Sequence, residues 1–174
     1  MVFRSMSEAA TVPLVTWQGP VQAQWVDYNG HLRDAYYLLI FSLATDALMD
    51  RIGLDAAGRQ RTGQSLFTLE SHINYLHEVK VDVVVHVRTQ LLGLDAKRLQ
   101  VYHTLHVGDF EQVLSANEQM LLNVTMGVDM AGPAAAPFDG AVDQSLRAIM
   151  RAHQALPRPK YAGRAIALPG TRHV

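Results

Sequence analysis

The chain has 174 residues, of which 49% are hydrophobic and 18% are charged, and its formal net charge is −1. This length suits a single domain with a sizeable core, and the apolar composition excludes an intrinsically disordered chain. The near-neutral charge gives no electrostatic reason to expect nucleic acid or an anionic membrane as a partner. The absence of cysteine excludes disulfides, thiolate nucleophiles and zinc–thiolate sites.

The amino-terminal stretch lacks the long apolar core that is typical of a signal peptide. No uninterrupted apolar run reaches the ~18 residues that typically cross a membrane as a helix. We therefore expect a cytoplasmic protein in which residues 1–18 form an amino-terminal arm.

The next part of the chain changes from an extended to a helical pattern. Val21–Val26 alternates enough to predict a first strand, and the polar, turn-forming cluster DYNGHLRD follows at residues 27–34. Residues 35–52 are apolar around most of the circumference of a helix, which is typical of a buried helix. The polar exceptions share one stripe of this helix: Ser42, Thr45, Asp46 and Asp50. Nearby glycines predict a loop over residues 53–63.

Four later segments have the two-residue period of strands. They are Ser65–Leu76, Val81–Leu91, Leu99–Val107 and Leu114–Val128. Short turns join the last three segments, which predicts an antiparallel sheet with one face covered. In the last segment the even-numbered residues form an apolar face, which Glu118 interrupts. A carboxylate in that position needs a partner or faces a pocket.

The carboxy-terminal part, residues 131–174, is predicted to be a linker, a short amphipathic helix and an extended tail. The linker is the stretch AGPAAAPFDG, and the helix spans residues 142–150 with Asp139 as its N-cap. The segments before it form one domain over residues 19–130. Their economical solution is an α+β fold in which the antiparallel sheet wraps around the long buried helix, which is the hotdog arrangement. Its unpaired sheet edges predict a homodimer or a dimer of dimers.

The strongest chemical signal is the run Asp27-Tyr28-Asn29-Gly30-His31, between the first strand and the buried helix. It places a carboxylate where a turn opens onto a helix N-terminus, whose free backbone amides carry partial positive charge. Those amides could stabilise an oxyanion, and Asp27 could act as a general base or as a nucleophile. Gly30 would allow close approach of a ligand. The alternative is that Asp27 and Asn29 are ordinary turn and cap residues.

Three longer runs carry a resemblance to a known family: DYNGHLRDAYY, SLFTLESHINYLHEV and TQLLGLDAKRLQVYHTLHV. Over about residues 20–130 the chain resembles the 4-hydroxybenzoyl-CoA thioesterase-like branch of the hotdog superfamily. The shared features are an Asp-x-x-Gly-His motif, a nearby Tyr and an Asn-Tyr-Leu segment in the second strand. The runs ESHINYLHEVK, LDAKRL and NEQMLLNV, with the tail LPRP…GR, further resemble betainyl-CoA thioesterases of bacterial carnitine breakdown.

The resemblance implies that Asp27 is the catalytic carboxylate of a thioester hydrolase. It implies that Asn29, Gly30 and His31 position the substrate and that a first-turn backbone amide near Asp34 contacts the oxyanion. For His31, a structural role in capping the turn is the alternative.

Two departures from the family pattern matter. Arg33 and Asp34 stand where relatives often have two Asn residues. Ser42 and Leu43 stand where some relatives carry a helical Glu, so that mechanism would need Asp46 as a substitute.

Other polar residues are weaker candidates. Glu70 lies on the polar face of its strand and either is solvated or enters the mouth of the pocket. Arg88, Lys97 and Arg98 flank a hairpin and could hold the phosphates of CoA, although exposed basic residues commonly have no specific role. No metal is expected, because no HExxH pattern occurs. Neither a GxSxG, a P-loop nor a GxGxxG motif is present, so no cofactor is expected beyond CoA as part of the substrate.

We therefore predict a cytoplasmic thioesterase for a small acyl-CoA, with betainyl-CoA, cleaved to betaine and free CoA, as the favoured substrate. The acyl pocket would lie between two subunits. Aromatic residues could recognise the quaternary ammonium, with Glu70 and Asp46 as counter-charges: Trp25, Tyr28, Tyr36, Tyr37 and Tyr75. The alternatives are a thioesterase for another short or aromatic acyl-CoA, a hotdog hydratase and an acyl-CoA-binding module.

Overall fold

The computed structural model describes residues 12–108, 112–127 and 132–168. The helices are α1 Asp34–Arg51, α2 Ala56–Thr62 and α3 Gly140–His153. The strands are β1 Leu14–Pro20, β2 Gln64–Tyr75, β3 Val84–Leu94, β4 Arg98–Val107, β5 Ser115–Thr125 and β6 Ala134–Ala135. They form one sheet in the order β1-β3-β4-β5-β2, with β6 beside β5, and all pairs are antiparallel. None of the helices described here is long and apolar enough to cross a membrane.

The sheet wraps around α1, whose inner side chains are fully buried. Ile40, Phe41, Ala44 and Leu48 of α1 are 0% exposed and pack against alternating side chains of β3 and β4. The predicted helix is confirmed within one residue at each end, and the four alternating segments correspond to β2, β3, β4 and β5. The predicted α+β hotdog architecture is therefore confirmed.

The prediction of the first strand was wrong. Val21–Val26 contains the 3₁₀ turn Ala23–Trp25, and β1 lies earlier, mostly inside the segment that was predicted to be an arm. β1 pairs with β3 along its length, but a register shift falls between Val15 and Trp17. This bulge breaks the two-residue alternation by which a strand is recognised in a sequence.

The predicted loop over residues 53–63 contains α2. Asp55 caps this helix, because its side chain accepts a hydrogen bond of 2.7 Å from the backbone N–H of Gly58. A Cβ at position 58 would overlap the Gly53 carbonyl, so Gly58 is needed for the close approach of these two backbone segments. The glycine therefore lies inside a helix and does not mark a loop. The helix ends at Gly63, which has a φ of 66°.

The buried face of β5 is polar, which corrects the predicted apolar face. It carries Ser115, Asn117, Gln119, Leu121 and Asn123, each 3% exposed or less. Several of their polar groups have partners: the Asn123 amide nitrogen, for example, donates to the Ala136 and Pro137 carbonyls at 2.9 and 3.0 Å. Polar side chains are tolerated in the core when they are hydrogen-bonded. The even-numbered face points outward, away from α1.

Thr45 lies on the buried face of α1, not on its polar stripe. Its hydroxyl donates to the side chain of Gln119 at 2.9 Å and lies 3.1 Å from Nε2 of His103. Nδ1 of His103 lies 2.8 Å from the Thr89 hydroxyl. Burial lowers the pKa of His103 to about 4, so the ring is neutral at physiological pH. This buried chain of hydrogen bonds fixes α1 against the middle of the sheet.

The carboxy-terminal elements lie on both sides of the sheet. Asp139 caps α3 as predicted, accepting from the Ala141 N–H at 3.2 Å, while the predicted linker contributes β6. The following segment crosses the outer face, away from α1. There the Gln90 side chain donates to the Pro157 carbonyl at 3.4 Å, and the Gly163 N–H donates to Glu118 at 2.6 Å. Glu118 also accepts from the Gln100 amide, which gives it the partners it needs.

Candidate active site

The loop that carries Asp27 is a tight turn closed by backbone hydrogen bonds. The Asp27 N–H donates to the His31 carbonyl at 2.9 Å, and the Gly30 N–H donates to the Asp27 carbonyl at 3.0 Å. Gly30 has a φ of 78°, a conformation that a residue with a side chain rarely adopts. The loop is anchored to the segment that precedes β3, because the Val81 N–H donates to the Gly30 carbonyl at 3.1 Å.

The Asp27 carboxylate is held by its own loop. Oδ1 accepts hydrogen bonds from the backbone N–H groups of Asn29 at 2.8 Å and His31 at 3.1 Å. The hydrogen bond from the His31 N–H is the largest influence on the pKa of Asp27 and lowers it; burial, the next largest, opposes this, and the bond from the Asn29 N–H lowers the pKa further, so that it lies below its ordinary value of 3.8. The group is therefore an oriented, ionised carboxylate. Within the described parts of the chain, Oδ2 has no donor.

The N-terminus of α1 follows the loop directly. Arg33 precedes the helix without a side-chain cap, and its guanidinium Nε donates to the Val26 carbonyl at 3.1 Å. The Asp34 carboxylate accepts from the Ala35 N–H at 2.8 Å. Among residues 12–108, 112–127 and 132–168, no acceptor is found for the Asp34 N–H. A free amide at a helix N-terminus can stabilise a developing oxyanion.

A cavity of about 290 Å³, here called the helix cavity, opens beside this helix end. Its lining is Leu32, Asp34, Tyr37, Tyr75, Leu76, His77 and Glu78. The rings of Tyr37 and Tyr75 meet edge to face at 5.3 Å, and the Tyr75 hydroxyl donates to the Asp34 carbonyl at 3.4 Å. Burial raises the pKa of Tyr37 to about 12, so the phenol stays protonated. The cavity thus combines two neutral aromatic rings with two carboxylates.

His31 joins the Asp27 loop to this cavity. Its Nε2 lies 3.5 Å from the Glu78 carboxylate, which lines the cavity. Glu78 was not among the residues that the sequence singled out. Its only signal was its position in the run that carried the family resemblance, just after the Asn-Tyr-Leu segment.

Glu70 and Asp46 lie away from this group. Glu70 lines a separate cavity of about 500 Å³ on the outer side of β2, together with Glu118 and Arg164. Asp46 is exposed on α1, about 18 Å along the helix axis from Asp34. Asn29 remains on the loop, exposed beside Asp27.

The three basic residues that were expected to bind CoA do not cluster. Lys97 and Arg98 lie in the hairpin after β3, where Arg98 pairs with Asp95 at 2.7 Å. The backbone N–H of Lys97 and next the Arg98 side chain lower the pKa of Asp95 to about 2. The Asp27 loop meets the opposite end of β3, which has 11 residues and is therefore about 35 Å long. Arg88 lies between these ends, opposite Thr104 of β4.

The aromatic candidates divide into packed and accessible residues. Trp25 is buried and stacks on Tyr36 with 6.1 Å between ring centroids. This contact holds the residues just before Asp27 against α1. Tyr28 is 94% exposed and Tyr75 is 54% exposed. Tyr75 and the buried Tyr37 line the helix cavity, whereas Tyr28 does not. In the portion of the chain described, no group of three His, Asp or Glu side chains is placed to hold a metal ion.

Comparison with known proteins gives consistent matches over most of the chain. The profile of the Thioesterase-like superfamily matches residues 21–146. A Pseudomonas aeruginosa protein described as betainyl-CoA thioesterase is 55% identical over 91% of this chain and 98% of its own. An Agrobacterium fabrum protein described as L-carnitine dehydrogenase/betainyl-CoA thioesterase is 38% identical over 90% of this chain and 31% of its own. A Staphylococcus aureus protein solved in complex with CoA has a TM-score of 0.79 at 27% identity, covering 92% of this chain and 99% of its own.

The residues that the family profile matches include the Asp27 loop, α1 and all the longer strands of the sheet after β1. The chain therefore belongs to the Thioesterase-like superfamily, with the hotdog fold that its architecture displays.

Proposed function

We propose that this protein is an acyl-CoA thioesterase that hydrolyses betainyl-CoA to betaine and free CoA. The observation that carries the proposal is the ionised Asp27 carboxylate, on a loop that leads directly into α1 and that is joined to the helix cavity by the contact between His31 and Glu78. Support for the substrate comes from the Pseudomonas aeruginosa relative, which is 55% identical over nearly its whole length. The reaction consumes only water, and CoA enters as part of the substrate.

Asp27 drives the attack on the thioester carbonyl. Either it takes a proton from water, which then forms the new C–O bond, or it forms that bond itself and water hydrolyses the resulting anhydride. Both routes break the carbon–sulfur bond and release the CoA thiol after its protonation. The Asp34 N–H stabilises the oxyanion of the tetrahedral intermediate. Asn29, Gly30 and His31 hold the loop so that the thioester meets Asp27 in a productive orientation.

The helix cavity receives the trimethylammonium end of the acyl group. A quaternary ammonium cannot donate a hydrogen bond, so it is recognised by aromatic faces and by carboxylates. Tyr37 and Tyr75 supply the rings, and Asp34 and Glu78 supply the negative charge. These carboxylates replace Glu70 and Asp46 as the proposed counter-charges, because neither of the latter lines the cavity.

The working form is a cytoplasmic homodimer that is paired along β2. This strand is at the edge of the sheet, and its side chains Phe67 and Leu69 are 41% and 54% exposed. An unpaired edge with apolar side chains favours pairing with another strand. Tyr75, the last residue of β2, lines the helix cavity, so a second copy paired along β2 would close its open side. The acyl pocket would then lie between the subunits.

The test is release of free thiol from a panel of CoA esters by the purified protein. We expect betainyl-CoA to be cleaved faster than acetyl-CoA, benzoyl-CoA and long-chain acyl-CoA esters. The panel includes an enoyl-CoA, whose hydration without thiol release would instead reveal a hydratase. Binding of CoA esters without turnover of any of them would indicate an acyl-CoA-binding module and would refute the proposal.

A further inference from the structure

The chain that leads from β2 to β3 runs alongside the loop of the candidate active site and pairs with it. The Leu32 N–H donates to the Val79 carbonyl at 2.7 Å, and the Val81 N–H donates to the Gly30 carbonyl at 3.1 Å. These two bonds run in opposite directions, as in an antiparallel ladder. Residues 78–82, here called the clamp segment, therefore hold one side of the loop.

His31 lies in the middle of this short ladder, opposite Lys80. In extended chains the backbone groups of successive residues point to opposite sides. Because the groups that flank His31 point to the clamp segment, its own N–H and carbonyl point the other way, to Asp27. The N–H donates to the Asp27 carboxylate at 3.1 Å, and the carbonyl accepts from the Asp27 N–H at 2.9 Å. Pairing with the clamp segment thus fixes the direction of a bond that orients this carboxylate.

Glu78 adds a side-chain contact to the ladder, because its carboxylate lies 3.5 Å from Nε2 of His31. The backbone on both sides of Glu78 is fixed. The Tyr37 hydroxyl donates to the His77 carbonyl at 3.3 Å, and the side chain of Val79 is 3% exposed. A side chain on a fixed backbone loses less freedom when it makes a contact. Glu78 is therefore well placed to restrain His31, although an exposed pair of this kind is weak.

The clamp segment ends in an unusual backbone conformation. Asp82 has a φ of 64°, in the left-handed region that Asp adopts more readily than most residues. Its N–H donates to the Val21 carbonyl at 2.9 Å, and the Val83 carbonyl accepts from the Val21 N–H at 2.9 Å. The clamp segment thus exchanges one backbone partner for another at Asp82. Such conformations persist where the surrounding structure holds them, and they are frequent at functional sites.

We propose that the clamp segment positions the Asp27 loop for attack on the thioester and that Glu78 is its positioning residue, acting through His31. The inference rests on the proposed function, because hydrolysis of CoA esters is the readout. This role is separate from recognition of the acyl charge, since it acts on the loop and not on the acyl group. Glu78 should therefore affect the hydrolysis of esters that carry no charge on the acyl group.

The uncharged ester 3,3-dimethylbutanoyl-CoA separates the two roles of Glu78. A counter-charge assists only betainyl-CoA, whereas positioning assists both esters. For the uncharged ester we expect Glu78→Ala to lower kcat about two- to fivefold, the range of an exposed ion pair, with KM unchanged. Glu78→Gln retains an oxygen that can accept from His31 and should recover part of the loss. Asp50→Ala removes an exposed carboxylate far from the loop and should leave kcat at the wild-type value.

A double-mutant cycle tests whether the effect passes through His31. In a His31→Ala background, Glu78→Ala should cause no further loss of kcat for the uncharged ester, because the contact is already absent. The same loss in both backgrounds would overturn the inference, and so would a wild-type kcat for Glu78→Ala. Either result would leave the thioesterase proposal in place. A wild-type protein that hydrolyses no CoA ester would refute the proposed function instead.

Asp82 provides a second test that leaves the helix cavity unchanged, because this exposed residue does not line it. Glycine adopts a φ of 64° readily, whereas a β-branched residue is strongly disfavoured there. We expect Asp82→Gly to retain the wild-type kcat and Asp82→Val to lower kcat for both esters. Circular dichroism verifies that each variant is folded. Equal kcat values for a folded Asp82→Val and Asp82→Gly would overturn the role of the clamp segment, also if Glu78→Ala does not fold.

Discussion

The backbone N–H of His31 donates a 3.1 Å hydrogen bond to the carboxylate of Asp27, four residues earlier in the same loop. This bond favours the charged form of Asp27 and is the largest cause of its lowered pKa. Because the folded-state pKa is below the ordinary 3.8, the contribution of Asp27 to stability is complete above pH 3.8 and is lost as the pH falls through the folded value. Ionised Asp27 is thus available throughout the neutral and mildly acidic range.

The pH profile of the reaction follows from this shift. We expect kcat/KM to show no decrease that is due to Asp27 between pH 7 and pH 4, with the acidic limb below the ordinary carboxyl value of 3.8. Circular dichroism at each pH identifies any loss that is caused by unfolding. An acidic limb near pH 6 to 7 in a folded protein would show that a group other than Asp27 controls the rate.

Asp27→Asn should retain the fold and lose most of its activity. The amide oxygen of Asn can still accept the hydrogen bonds from the Asn29 and His31 N–H groups, but it cannot act as a base or as a carboxylate nucleophile. The expected loss in kcat is at least ~100-fold, which is the lower range for removal of a general base. Asp50→Asn, an exposed carboxylate near the end of α1, is the control and should be unaffected. Near-normal turnover by a folded Asp27→Asn protein would remove Asp27 from the mechanism.

The edge strand β2 predicts the oligomeric state. Analytical ultracentrifugation should find at least a dimer at micromolar concentration, and Leu69→Glu should shift the protein towards monomer and reduce its activity. The charge is placed on an exposed apolar residue of the proposed interface. Val15→Glu provides the control, because Val15 is 57% exposed on β1 at the opposite edge of the sheet. A fully active wild-type monomer would contradict the proposed pairing.

The sequence predicted the elements whose periodicity is unbroken and missed those that depend on an irregular backbone or on buried polar contacts. α1 and the four long strands were found within a few residues. β1 was missed because a bulge disrupts its alternation, and a second register shift, between Thr68 and Glu70, moves Phe67 and Ile73 to opposite faces of β2. Thr45 and the buried face of β5 looked exposed, since hydrogen bonds across the core are invisible in a one-dimensional pattern.

The candidate site was predicted only in part, for a related reason. The Asp27 loop and the N-terminus of α1 are adjacent in sequence, so one local motif marked both. Glu78 and His77 reach the site through the tertiary fold and had no local motif of their own.

The buried hydrogen bonds of Thr45 provide a prediction about stability. Thr45→Val keeps the shape of the side chain but leaves polar atoms of His103 and Gln119 without their partner in the core. We expect the free energy of unfolding to fall by about 1–3 kcal/mol, which is the typical cost of leaving a buried polar group unsatisfied. Urea denaturation measures the change, and Ser42→Ala on the exposed side of α1 should shift it by less than about 0.5 kcal/mol. Equal stabilities would show that water or a rearranged side chain replaces the hydroxyl.

The final prediction concerns the charge of the acyl group. Betainyl-CoA and 3,3-dimethylbutanoyl-CoA have the same shape, but the first has a quaternary nitrogen where the second has carbon. Cation–π contacts are worth about 0.5–2 kcal/mol per ring, so two rings at Tyr37 and Tyr75 predict a preference of about tenfold or more in kcat/KM for the charged ester. The Asp34 and Glu78 carboxylates would add to this preference.

The preference should depend on the residues that line the helix cavity. Tyr75→Leu and Glu78→Gln should each reduce it, because one removes an aromatic face and the other removes a negative charge. Tyr28→Leu is the matched control, since Tyr28 is 94% exposed and does not line the cavity. Equal rates for the two esters in the wild-type protein would show that the cavity does not discriminate between a charged and a neutral acyl group. The enzyme would then be a thioesterase for a different acyl group, with Asp27 and the α1 N-terminus acting on the same thioester carbonyl.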